Sequence, residues 1–169
     1  MDLKIVEFDV TFKDYFEEKN ISKSTQNKLT CNTGNKILFV PEYDFRGYYF
    51  EEWVNEIWNY AQKNTQKYDV DILADSNPRI IIKRSAEWYI PTMLFLGYFV
   101  KDVAKDLVVE FIKNKMSNRK KDDEIERDRV NMTIMDFNSK KKVSFSSEIR
   151  DLDEVLGKVK GVFDDEKDV

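Results

Sequence analysis

Histidine is absent from this 169-residue chain, and that absence excludes more chemistry than any residue present supplies. Without imidazole there is no ordinary general base near neutral pH, no His-containing zinc site, and neither a Ser-His-Asp nor a Cys-His catalytic arrangement. Cysteine occurs once, as Cys31, so no internal disulfide can form and the chain reads as an intracellular, cytoplasmic protein. Gly34, Gly47, Gly97, Gly157 and Gly161 never cluster. That excludes a standard phosphate-binding loop and the dinucleotide fingerprint.

Long apolar runs are missing too. Trp88 to Val100 carries no charge, but a spanning helix needs roughly 20 apolar residues, and Lys101, Asp102, Lys105 and Asp106 follow at once. No membrane span is expected. The opening MDLKIVEFDV has no basic leader before a long apolar run, so no secretory signal is expected either. Arginine is scarce, 7 against 21 lysines, and the net charge is −4 with a pI near 5.1. A general affinity for nucleic-acid phosphates is therefore not expected, and a basic protein partner suits the charge better.

What is present is a globular composition: 41% hydrophobic and 14% aromatic residues beside 36% charged ones. Length and pattern predict a single compact α+β domain over residues 1–163, with an acidic, flexible tail at 164–169. We expect a mainly antiparallel sheet of about 5–6 strands against two or three amphipathic helices. The spine is a central apolar helix near 91–114, in which Leu96, Val100, Val103, Leu107 and Phe111 recur at steps of four and three. Pro91 fits its first turn, and Lys113 and Lys115 suit its negative end.

Alternation in Lys4 to Phe12 predicts a half-exposed strand, with Val6, Phe8, Val10 and Phe12 on one face. KILFV, Lys36 to Val40, reads as a buried strand after the turn Asn32-Thr33-Gly34-Asn35, and these two strands are expected to pair. Tyr68 to Ala74 and Arg79 to Lys83 read as further strands, with Ile80-Ile81-Ile82 placed centrally. Ser117 to Arg129 has ten charged residues in thirteen and reads as a solvated loop or frayed helix. Val130 to Phe137 and Lys142 to Phe145 predict a hairpin about Asn138-Ser139-Lys140. Leu152, Val155, Leu156, Val159 and Phe163 predict a closing helix.

Glu42 to Tyr60 has the most unusual composition. Eight aromatics accompany five acids and one arginine, and from Phe50 the spacing predicts an amphipathic helix. Trp53 is expected to pack against the central helix, leaving Tyr43, Tyr48 and Tyr60 near the surface. Rigid aromatic area edged by carboxylates suits docking on a positive protein surface. The predicted contact set is Glu42, Tyr43, Asp44, Tyr48, Glu52, Glu56 and Tyr60. On this reading the protein is a small acidic, non-catalytic binding or inhibitory protein without cofactor, with the profile of a toxin-neutralising immunity protein or a defence-system antagonist.

The enzymatic alternative rests on Asp69, Asp71 and Asp75. Asp69 and Asp71 share one face of an extended segment and could hold Mg²⁺ against a phosphate substrate. The ordinary explanation is a solvent-facing strand in a highly charged chain. A two-metal nuclease pattern would need an acid two positions before Lys83, where Ile81 stands. Glu52 and Glu56 lie one helical turn apart but lack the histidine of a di-iron site, and Glu7 with Asp9 is any pair of exposed strand carboxylates. Lys140, Lys141 and Lys142 read as a soluble loop. A third reading makes the chain a subunit of a membrane-adjacent or oligomeric assembly, with Trp88 to Val100 partly exposed.

Overall fold

The computed structural model describes residues 3–18, 21–30, 36–74, 79–83 and 85–165; Cys31, the predicted turn at 32–35, Asp75 and the last four residues of the predicted tail lie outside them. In chain order the first elements are β1 (Lys4–Glu7), α1 (Phe12–Glu18), α2 (Lys23–Thr30), β2 (Lys36–Val40), β3 (Glu42–Asp44), β4 (Gly47–Glu51) and α3 (Val54–Lys63). There follow β5 (Val70–Ile72), β6 (Arg79–Ile81), β7 (Trp88–Tyr89), β8 (Thr92–Leu96) and α4 (Lys101–Met116). The chain closes with α5 (Asp122–Ile125), β9 (Arg129–Asp136), β10 (Lys141–Glu148) and α6 (Leu152–Asp164).

Seven strands form one mixed sheet in the order β1-β10-β9-β8-β2-β5, with β7 also pairing β9. Its backbone is KILFV: Ile37 and Phe39 point to one face while Leu38 and Val40 point to the other. The first face, with Met93, Phe95, Val130, Ile134 and Val143, is covered by α3, α4 and α6. The second face carries Leu38, Val40, Leu94 and Met135 against Tyr15 and Phe16 of α1 and Ile21 ahead of α2. The result is an α+β fold with the large sheet between two helical layers of unequal size. A three-stranded sheet, β3-β4-β6, stands apart from it.

Several expectations change. The helix predicted near 91–114 begins only at Lys101, because Thr92–Leu96 is a strand buried on both faces, its residues Met93 and Phe95 opposite Phe39 and Ile37 of β2. A continuous apolar run fits a doubly buried strand as well as a helix. The breakers decide: Pro91 has no N–H for a ladder and interrupts the strand between β7 and β8, and Gly97, at φ 105°, turns the chain before α4. From Ala104 to Ile112 the helical stripe is buried as predicted.

β1 pairs with β10, not with β2, and ends at Glu7, so Phe8 and Val10 pack beyond it against the second-face cluster. Isoleucines 80–82 are not central. β6 joins β4 at the rim of the small sheet, where Ile82 is 70% exposed. The charged stretch 117–129 contains α5, anchored by the buried Ile125. The Glu42–Tyr60 segment first makes the hairpin β3-β4, delaying its helix to Val54. The β9-β10 hairpin and α6 form as predicted, although Asp164 belongs to the helix and not to the tail.

Candidate functional site

Where β1, β10, β9 and β7 extend past the cover of α1 and α2, the second face of the large sheet turns polar. Register aligns it: Lys4 lies opposite Ser144, Val6 opposite Lys142, Ser144 opposite Thr133, and Tyr89 beside Asn131. The small sheet, with the residues just after β6, forms the facing wall, contributing Glu42, Tyr49, Glu51 and Lys83. Between them lies a cleft of about 670 Å³.

Charges of both signs meet there. Lys142 Nζ lies 3.4 Å from Glu42 Oε2, and the Thr92 hydroxyl donates to Glu42 Oε1. Lys83 Nζ lies 3.4 Å from Glu51 Oε1 and 4.1 Å from the centre of the Tyr89 ring. The Thr133 and Ser144 hydroxyls are 2.9 Å apart. The Glu51 side chain is only 13% exposed, and its Oε2 is buried with no hydrogen-bond partner among the described residues. Burial pushes the Glu51 carboxyl above its usual range, Lys83 opposes that shift, and Glu42 and Glu52 add to it. Burial likewise raises the Tyr49 phenol, with Glu51 the next contributor.

A testable consequence follows for pH. A raised carboxyl favours the protonated folded state, so its contribution to stability is present below the ordinary carboxyl range and is lost as pH rises through the raised value. Glu51→Gln keeps the shape without the charge. Urea unfolding at about pH 4 and about pH 7 should therefore show the variant gaining on the wild type at the higher pH. A wild type that gains instead would mean that the Lys83 pairing outweighs burial.

The predicted docking residues are divided by the fold. Glu42 lines the cleft, and Asp44 is bound by the Arg79 guanidinium at 2.5 Å, which holds its carboxyl below the usual range. Tyr48 is half-buried and its hydroxyl donates to the Glu18 carbonyl. Glu56 lies 3.9 Å from Lys115, and the Tyr60 hydroxyl points to Glu110 at 3.4 Å. The Tyr43 side chain lies outside the described residues. Trp53 packs on Trp88 and on Phe111 of α4. Of the five acids in Glu42 to Tyr60, only Glu52 lacks an ion-pair partner among the described residues.

Asp69 and Asp71 do share a side of the chain, but Lys36 lies 4.0 Å from one and 3.7 Å from the other. Its ammonium pairs with both carboxylates. Among the described residues no acidic cluster has the arrangement of a metal site, and no helix is long and apolar enough to cross a membrane. In the stretch Trp88 to Val100, Trp88, Ile90 and Met93 to Phe95 are buried, while Tyr98 is 67% exposed.

Sequence reasoning missed Lys4, Tyr49, Glu51, Lys83, Asn131, Thr133 and Ser144 as a group. Their one local signal is the polar alternation on the β9-β10 hairpin, where Asn131, Thr133, Lys142 and Ser144 stand on one face. Comparison with protein-family models, with characterised proteins and with solved structures finds no match to this chain.

Proposed function

We propose that this protein is a binding protein that takes a small polar ligand into the cleft between its two sheets. The supporting observation is convergence: two lysine–glutamate pairs, hydroxyls and an amide from six strands surround one concave volume of about 670 Å³, within the usual size of ligand pockets, roughly 300–1,000 Å³. A buried, raised carboxyl in such a cleft is a recurrent mark of functional sites. Isotope-labelled protein titrated with a panel of polar metabolites should show amide shifts concentrated at Glu42, Glu51, Lys83, Asn131, Thr133 and Ser144. Shifts that all fall elsewhere, or none across the panel, would remove the reading.

Docking on a basic protein as a non-catalytic inhibitor is the second reading. It is favoured by Phe45, which is 89% exposed at the tip of the β3-β4 hairpin with Arg46 over its ring. An exposed aromatic anchor on an acidic molecule suits a positive partner. Either reading fits a cytoplasmic protein that does not engage nucleic acid. Calorimetry with basic effector proteins separates the two, since Phe45→Ala should weaken a protein complex and leave cleft binding unchanged.

A further inference from the structure

We infer that the ligand of this cleft is a hydroxyl-rich small molecule bearing one oxyanion group, held between Lys4 and Lys142. The inference rests on the cleft reading and adds the ligand's chemistry. The cleft lining contains three lysines, Lys4, Lys83 and Lys142, against two glutamates, Glu42 and Glu51. It is therefore a locally positive concavity in a chain of net charge −4. Such a reversal concentrates small anions at one place and repels them from the rest of the surface.

The excess charge has an address. Lys83 is committed to Glu51 and to the Tyr89 ring, and Lys142 is shared with Glu42 at 3.4 Å. The Lys4 side chain has no ion-pair or hydrogen-bond partner among the described residues. In the β1-β10 register Lys4 faces Ser144, two residues from Lys142 and on the same face, so the two lysines are diagonal neighbours on adjacent strands and both line the cleft. The Ser144 and Thr133 hydroxyls lie beside them. Two ammonium groups and two hydroxyls make a donor-rich corner suited to a phosphate or carboxylate. Glu42, 3.4 Å from Lys142, borders that corner; its carboxylate, Glu51 and the Asn131 amide supply acceptors for ligand hydroxyls, and Val6 and Ile90 add apolar lining.

Calorimetry at low ionic strength with glucose, gluconate, glucose 6-phosphate and inorganic phosphate tests this directly. At least one anionic sugar should bind about tenfold or more tightly than glucose, with gluconate and glucose 6-phosphate distinguishing carboxylate from phosphate. Lys142→Gln should remove most of that preference, and Lys4→Gln, on an exposed edge strand, should reduce it without disturbing the fold. Added salt should weaken the anionic sugars and not glucose. Glucose binding as tightly as its anionic relatives would overturn the oxyanion assignment and leave the cleft reading standing. No binding of either anionic sugar, or anion binding indifferent to both lysine variants, would overturn it as well.

Discussion

Replacing Phe111 with alanine is expected to lower the unfolding free energy by about 3–5 kcal/mol, the usual cost of emptying a fully buried aromatic site. Phe111 is 2% exposed. Its ring meets Trp53 at 6.4 Å, Trp88 at 6.0 Å and Tyr60 at 6.1 Å, so α4 is joined through it to α3 and to the start of the β7-β8 strand. Three large rings cannot close on the vacated volume without leaving their own contacts, and the cavity persists. A domain is typically stable by about 5–15 kcal/mol, so the loss should appear as a large drop in the urea midpoint. A change below about 1 kcal/mol would mean that these rings repack freely.

Phe16→Ala should remove a comparable amount, about 3–5 kcal/mol, but in a different place. α1 has seven residues and α2 eight, far below the roughly 12–15 that an isolated helix needs to be even marginal in water. α1 is held because its Tyr15 and Phe16 sit on Leu38, Val40, Leu73, Leu94 and Met135, and Ile21, just ahead of α2, joins the same cluster. Removing the Phe16 ring should release that layer first. Hydrogen exchange should accelerate across α1 and α2 while α4 and α6 stay protected, the pattern of sub-global opening. Equal acceleration in α4 would show instead that both layers unfold as one unit.

The cleft depends on the unequal cover that Phe16 anchors. α1 and α2 are too short to cover the whole second face of the sheet, and the uncovered part is the polar part. Hydrophobic burial thus decides the position of the opening, and the small sheet supplies its outer wall. Losing α1 and α2 should leave the Lys83–Glu51 pair in place, because both partners belong to the small sheet or its immediate extension.

The sequence by itself determined whatever depends on neighbours a few residues apart. A short apolar run marked β2, polar–apolar alternation marked the β9-β10 hairpin, and steps of three and four marked α6 and α4 from Ala104 onward. It also fixed the chemistry available, since a chain without histidine has few ways to move protons near neutral pH. Only the tertiary structure decided which strands meet and which faces are covered. TMLFL is a strand and not a helix because β2 lies beside it, and the cleft exists because Glu42 meets Lys142 across 100 residues of chain. Local periodicity records which side of an element is apolar. It carries no information about the partner against which that side closes, because that choice is made by packing the whole chain at once.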